Sequence, residues 1–235
     1  MNRFFDPDSA LMRFLSRMAD LIILNVVALL CCIPIITIGA SLTAMHYVLL
    51  KMVRNEEGYI VKSFFKSWKE NFKQATLLWL PLLLFFILFI GDLLIFRYSG
   101  VEFPQILKAL LFAAAAFVYM ITCYLFPLQA RFENTIKNTW KNALLMSICS
   151  FPRTVVMMVL YTLPFFACLY IMTIPLVFFF GLSLPAYLSA MLYNKIFKKF
   201  EPEEEEWTDR FEMAARGMDS AEIARNANEK GTNKG

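Results

Sequence analysis

Polar side chains that could do chemistry lie inside long apolar stretches of this sequence. One run holds Pro34, Gly39, Ser41, Thr43 and the single histidine, His46. Ionisable and hydroxyl groups are costly inside a bilayer, so they mark either substrate, ion or proton contacts or hydrogen bonds between packed helices. On this basis we select nine candidate intramembrane or interface positions: Asn25, Ser41, Thr43, His46, Gln129, Arg131, Glu133, Asn134 and Ser183.

A packing explanation stands beside the functional one for each candidate. Ser41 has small residues at helical spacing, which favours close contact between helices over ligand binding. His46 fits an interhelical hydrogen bond better than a substrate or proton contact. After Pro127, the stretch that contains Gln129 and Glu133 fits side-chain caps of a helix end and a contact with a cytoplasmic partner equally well.

Sequence signatures of catalysis are missing from the chain. There is no phosphate-binding loop, nucleophile elbow, zinc-protease motif or glycine-rich dinucleotide motif. The five cysteines lie in apolar runs without CxxC spacing or a histidine cluster, which is typical of small packing residues. We therefore predict a protein that is not an enzyme and that has no cofactor and no metal site.

Composition indicates the solvent in which the chain folds. Of the 235 residues, 59% are hydrophobic and 24 are Phe, and the mean hydropathy is +0.55. Apolar runs near 20 residues match the roughly 30 Å apolar thickness of a bilayer. The sequence predicts an all-α, polytopic transmembrane helical bundle with these apolar stretches: Leu21–Cys32 continuing to Leu50, Ala75–Phe96, Ile106–Phe126, Val155–Ile171 and Pro175–Tyr193.

Charge distribution predicts the orientation of the bundle. Lys and Arg concentrate in residues 51–73, 131–141 and 195–199, whereas the other connections contain few of them. Positively charged connections stay on the cytoplasmic side, which predicts a multi-pass protein of the cell membrane with both termini in the cytoplasm. The lipid bilayer is then one partner, and so apolar a chain gives no support for nucleic acid as another.

Two counts of membrane crossings follow from the first apolar run. A single helix over 21–50 would be about 45 Å long and would give five spans with the N-terminus outside. A turn near 33–39, favoured by Pro34 and Gly39, gives six spans in three hairpins, at about 14–53, 75–129 and 144–196. The stretches that begin at Ile33 and Ile174 share Ile-Pro and then Gly-x-Ser-Leu-x-Ala, so we expect the same outer turn in both. We therefore prefer six spans.

Two segments differ from this pattern, so that the membrane domain is expected over 1–200. Within the cytoplasmic segment at about 54–74, aromatic residues at helical spacing alternate with lysines, which predicts an amphipathic helix at the inner interface. The alternative is a docking helix for a partner protein, which would need Phe64, Phe65 and Trp68 to be available. Residues 201–235 begin with an acidic run and read as a cytoplasmic tail that is disordered.

Three stretches resemble one known family. They are LMRFLSRMADLIILN, PIITIGASLTAMHYVLLKMVRNEEGYIVKSFFKSWKENFKQA and FPLQARFENTIKNTWKNAL, and the likeness runs from about Phe4 to Phe200. These stretches are similar to the YesL family of bacterial integral membrane proteins, a domain of unknown function. The resemblance implies a bacterial protein encoded near sugar-uptake ABC systems and enzymes that degrade plant polysaccharides. It implies no catalytic residues.

Two functions remain as hypotheses. The first is an accessory component of carbohydrate (oligosaccharide) uptake or utilisation, acting with an ABC-type sugar permease or another membrane protein, and it rests on the resemblance. The second is a membrane scaffold or regulatory protein that docks a cytoplasmic partner through residues 54–73 and the tail. The sequence indicates no oligomeric state and no ligand.

Overall fold

The computed structural model describes residues 10–56, 58–98, 104–167 and 174–198, and in these residues every regular element is helical. A 3-10 turn at Ile35–Thr37 separates the first two α-helices. The eight α-helices of the described residues are α1 Ala10–Cys32, α2 Ile38–Val53, α3 Ile60–Tyr98, α4 Gln105–Arg131, α5 Ile136–Cys149, α6 Phe151–Ala167, α7 Ile174–Phe180 and α8 Ser183–Phe197.

The first apolar run is broken, as its proline predicted. Helix α1 ends at Cys32 and α2 begins at Ile38, so the single helix over 21–50, which was the alternative to a turn, is not formed. The two helices run antiparallel, because Arg17 near the start of α1 donates to Asn55 beyond the end of α2. Pro34 is extended, with φ −74° and ψ 119°, which ends the helical geometry at this point.

Helix α3 is longer than the sequence patterns predicted. We expected a separate amphipathic helix before a span that begins at Ala75, but the structure joins both into the 39-residue helix Ile60–Tyr98. At 1.5 Å per residue its length is about 58 Å, nearly twice the apolar thickness of a bilayer. Pro81 lies inside this helix without ending it. The amphipathic segment therefore extends the spanning helix instead of forming an element of its own.

A sharp bend separates α5 from α6. The two helices meet at Ser150 with an angle of 103° between them. Thr154 fixes the bend, because its hydroxyl donates to the carbonyl oxygen of Ser147 at 2.9 Å and lies 3.1 Å from that of Ser150. The expected span at 155–171 is thus the described helix Phe151–Ala167, with α5 leading into it at a steep angle.

The last apolar run is also broken. The sequence predicted an outer turn in the stretch that begins at Ile174, but no break inside the span that follows it. We expected one span over Pro175–Tyr193, but α7 ends at Phe180 and α8 begins at Ser183. The chain divides into a unit of residues 1–193 and a second unit of residues 194–235, of which the structure describes the last residues of α8 and Lys198. The expected acidic tail lies outside the described residues.

Four helices of the described residues are long and apolar enough to cross a membrane, or five spans if the bent pair α5–α6 counts as one. Buried faces show why they pack. On α1, Leu21, Leu24, Asn25 and Ala28 recur at helical spacing and are fully buried. Helix α2 is the most enclosed of the four, since over half of the residues in its most apolar stretch are buried. The structure is an all-helical membrane-type bundle around α2.

Candidate functional site

Residue His46 lies at the centre of a buried cluster of polar aromatic side chains. Its Nδ1 is 3.0 Å from the hydroxyl of Tyr193 on α8, and the two rings meet edge to face at 5.9 Å. Tyr161 on α6 approaches the imidazole from another side, with ring centroids 6.4 Å apart. Three helices that are distant in sequence therefore converge on one histidine, in agreement with the interhelical hydrogen bond that we expected.

Two buried hydroxyl groups at the edge of this cluster, those of Tyr161 and its neighbour Ser189, form no hydrogen bond of normal geometry. Buried polar groups are normally paired, and each of these two neighbouring hydroxyls is the nearest available partner of the other. Tyr161, Ser189 and Tyr193 were not among the candidates from the sequence. A tyrosine or serine in an apolar run does not indicate which distant residues it will contact.

A second polar contact joins α1 to the break between α7 and α8. The Asn25 side-chain amide donates to the Phe178 carbonyl oxygen at 2.7 Å. Its Oδ1 accepts from the backbone N–H groups of Leu182 at 2.9 Å and Ser183 at 2.8 Å. These are the backbone groups that a helix break leaves unpaired, and in an apolar layer they need partners. Asn25 thus supplies hydrogen-bond partners for three backbone groups at the break and holds the break against α1.

The hydroxyl candidates of the first hairpin serve packing. Ser41 Oγ donates to the Ala28 carbonyl oxygen on α1 at 2.9 Å, and Thr43 Oγ1 donates within its own helix to Gly39 at 2.9 Å. Ser183, by contrast, uses its N–H on Asn25 while its buried Oγ is unpartnered. The structure therefore does not bring the hydroxyls of Ser41 and Thr43 to one open site.

Gln129 belongs to a different junction, between α3, α4 and α5. Its amide donates to Asn71 Oδ1 at 3.2 Å, and Thr139 Oγ1 donates to its Oε1 at a long 3.5 Å. The Asn134 carbonyl oxygen accepts from the side-chain amide of Gln74. Gln129 is buried, whereas the remaining candidates of this stretch, Arg131 and Glu133, are exposed.

Close contact between α2 and α3 depends on Gly39. A Cβ atom at this position would lie 2.6 Å from the Ala75 carbonyl oxygen and 2.6 Å from Trp79 Cβ. The indole N–H of Trp79 donates to the Ile35 carbonyl oxygen at 2.8 Å, at the tip of the first hairpin. The sequence indicated Gly39 only as part of the turn near 33–39, and its partners on α3 were not foreseeable.

An open apolar groove of about 600 Å³ lies between α3, α4 and α6. Phe86, Ala115, Ala116 and Phe166 are among its lining residues. The Tyr119 hydroxyl lies at its wall, 3.1 Å from Thr162 Oγ1 and 3.2 Å from the Met158 carbonyl oxygen. Such a lining suits hydrocarbon. Among the described residues, no group of three or more His, Cys, Asp and Glu side chains could hold a metal ion.

The outer surface of the first part of α3 carries positive charge. Four lysines recur on one exposed face, and we call them the α3 lysine face: Lys62, Lys66, Lys69 and Lys73. Phe65 is 41% exposed beside them, but Phe64 is fully buried and Trp68 is half-buried. Phe64 is therefore not available for docking, because the inner side of α3 uses it for packing.

Comparison with known proteins gives one match. A family model described as "Protein of unknown function, DUF624" matches residues 21–93, which include the first hairpin and most of α3. No curated protein matches the chain, and neither does any solved structure. Over the matched stretch, the chain is similar to a family for which no function is established. In this chain, that stretch includes the contact between Gly39 and Trp79.

Proposed function

We propose that this chain is a non-enzymatic, multi-pass protein of the cell membrane that serves as an accessory component of carbohydrate (oligosaccharide) uptake or utilisation. The likeness to the YesL family supports the link to carbohydrate. The single structural observation that supports an accessory role is the α3 lysine face, which offers a binding surface for a protein partner.

The position of the α3 lysine face favours a protein partner over lipid headgroups. The apolar part of α3 begins near Ala75, so the preceding fifteen residues of the helix extend about 22 Å away from it. Lys62 and Lys66 are at the distal end of this extension, and an upright α3 would carry them beyond the headgroups. Clustered charge that surrounds an exposed aromatic ring such as Phe65 is typical of a rim around an apolar anchor. An acidic cytoplasmic surface of an ABC-type sugar permease is the partner that we propose.

A transport assay tests this proposal. Cells that lack the protein are expected to take up at least one oligosaccharide of a panel poorly. The triple variant K62E/K66E/K69E should reproduce the defect, since charge reversal repels an acidic partner, while membrane insertion stays normal. The matched control K137E/K141E reverses two exposed lysines on α5 and should leave uptake unchanged. Normal uptake of every sugar by the deletion strain would refute the carbohydrate role.

A scaffold or regulatory protein is the second candidate, and the same surface favours it. In that case the α3 lysine face captures a cytoplasmic partner that has no part in transport. K62E/K66E/K69E should then abolish copurification of this partner from membranes, while the uptake of all sugars stays normal. Loss of uptake together with loss of partner would exclude this second function.

The proposed orientation places both termini and the α3 lysine face in the cytoplasm, following the distribution of Lys and Arg. Two arrangements have this property. One has six spans in three outward hairpins, and the other has a first hairpin that enters and leaves the membrane on the same side. A reporter at the N-terminus gives the same result for both, so the depth of the first hairpin must be measured directly.

A further inference from the structure

We propose that the hairpin α1–α2 is re-entrant. It enters the bilayer from the side on which α3 begins, turns inside the apolar layer, and leaves on the same side. The tip of the hairpin, residues 30–37, is then an interaction surface for lipid acyl chains. This inference is independent of the proposed function.

The hairpin turns beside the middle of α3. Trp79 donates to the carbonyl oxygen of Ile35 in the turn, and Gly39 lies against Ala75 and Trp79. Beyond Trp79, α3 continues for nineteen residues to Tyr98, which is about 28 Å. This length is close to the whole apolar thickness of a bilayer, about 30 Å. The turn and the far end of α3 therefore lie at very different depths.

The part of α3 beyond the turn needs an apolar environment. Its exposed side chains are mostly large and apolar, as shown by Leu84 at 59%, Leu88 at 60% and Ile95 at 52% exposure. If the hairpin turned at the far membrane surface, these side chains would stand in water. Transfer of such surface from water to hydrocarbon is strongly favourable, so they belong in the bilayer. The turn must then lie below the far surface.

A charged residue sets the depth of the turn. Asp92, on the exposed side of α3, is the first ionisable residue after Lys73 and belongs at or near the edge of the apolar layer. It lies thirteen residues beyond Trp79, or about 20 Å along the helix. In a layer about 30 Å thick, the turn would lie about 10 Å from the opposite edge. The hairpin thus reaches the half of the bilayer nearer to the start of α3.

Hydrogen bonding in the turn fits this depth. The Thr37 hydroxyl lies 2.6 Å from the Cys31 carbonyl oxygen and 2.7 Å from that of Pro34, and Trp79 pairs that of Ile35. At a membrane surface, water would donate hydrogen bonds to these three carbonyl oxygens, and no side chain would be needed for that purpose. Inside hydrocarbon, non-helical backbone is tolerated only where protein groups satisfy it. The side chains of Thr37 and Trp79 perform that role here.

The tip of the hairpin exposes aliphatic side chains to its surroundings. Leu30, Ile33, Ile35 and Ile36 are all exposed, with Ile33 at 73%, and no Asp, Glu, Lys or Arg occurs between Asp20 and Lys51. Transmembrane connections at a surface usually carry polar residues, because there they contact water and headgroups. A tip with four exposed aliphatic side chains matches acyl chains as its occupant.

Cysteine labelling in membranes tests the inference. In a cysteine-free background, Q105C reports the side on which α4 begins and E56C reports the α2–α3 connection, and both positions are exposed. An impermeant maleimide should label these two from opposite sides of the membrane. I35C should be labelled from neither side, and only after solubilisation in detergent. Labelling of I35C from the same side as Q105C, at a similar rate, would overturn the proposal.

A second measurement uses the wild-type chain and covers the case in which the cysteine-free background does not fold. Cys31 and Cys32, both half-buried at the tip, are natural reporters whose labelling can be mapped by mass spectrometry. An impermeant maleimide should leave Cys31 unmodified in intact cells and in inverted vesicles, and detergent should expose it. Modification of Cys31 in intact cells alone would place the turn at the outer face and contradict a re-entrant hairpin.

Discussion

Substitution of Gly39 by alanine tests the contact that fixes the first hairpin against α3. The new Cβ would lie 2.6 Å from both the Ala75 carbonyl oxygen and Trp79 Cβ. Neither atom is at the end of a flexible side chain, so the helices must move apart by about 0.8 Å to reach ordinary contact at 3.4 Å. Overpacking of this kind costs about 1–3 kcal/mol. Separation also weakens the bond from Trp79 to Ile35, which is worth about 1 kcal/mol.

One effect acts in the opposite direction. Alanine is a better helix former than glycine by up to about 1 kcal/mol, so the net loss of stability for Gly39→Ala is about 1–3 kcal/mol. For a chain of this length, each kcal/mol corresponds to a shift of about 2–4 °C in Tm. We therefore expect the apparent Tm of the purified protein in detergent to fall by roughly 2–12 °C.

Gly91 provides the matched control. It lies in the same helix α3, but a Cβ there would meet nothing within 4 Å. Gly91→Ala should leave the apparent Tm unchanged or raise it slightly, because only the gain in helix propensity remains. Equal Tm values for Gly39→Ala and Gly91→Ala would refute the close contact between α2 and α3 as the reason for a glycine at position 39.

Further predictions concern the buried polar groups, and each can be checked by the same thermal measurement. Asn25→Leu leaves two N–H groups and one carbonyl group at the helix break without partners, so we expect the free energy of unfolding to fall by about 2–4 kcal/mol. The control Thr122→Val removes a hydrogen bond within one helix only and should be nearly neutral. Tyr193→Phe deletes the bond to His46 and should cost about 1 kcal/mol. Tyr161→Phe removes an unpartnered hydroxyl and should be neutral or stabilising. Clear destabilisation would mean that this hydroxyl is paired after all, with its neighbour Ser189 as the available partner.

Helix breaks were predictable where the sequence itself interrupts a helix. Pro34 fixes an extended backbone, and the structure ends α1 two residues earlier, as expected. The place of the break at Gly181–Leu182, inside the expected span, was not predicted because it depends on Asn25, which lies on another helix and supplies partners for the backbone groups of the break. Local propensity describes the first case, whereas the second requires knowledge of the tertiary neighbour.

The polar candidates were predictable in type but not in partnership. Long apolar runs made His46 and Gln129 conspicuous, since polar groups at membrane depth need partners. Which partners they have depends on how distant helices pack, and Tyr193 is 147 residues from His46. The exposed and buried faces of the amphipathic segment were likewise ambiguous. Phe64 and Phe65 are adjacent in sequence, yet one is buried and the other lies beside the lysines.

The repeated Gly-x-Ser pattern shows how similar sequences serve one packing surface in different ways. The Ser41 hydroxyl donates to the Ala28 carbonyl oxygen on α1, whereas the Ser183 backbone N–H donates to Asn25 Oδ1. Ala28 and Asn25 lie one turn apart on α1. Both stretches therefore contact one buried stripe of α1. After its turn, the first stretch is an unbroken helix from Ile38 onward, and α1 there accepts a hydrogen bond from a side chain. The second is broken, because the α1 side chain at that level is an amide that can pair three backbone groups.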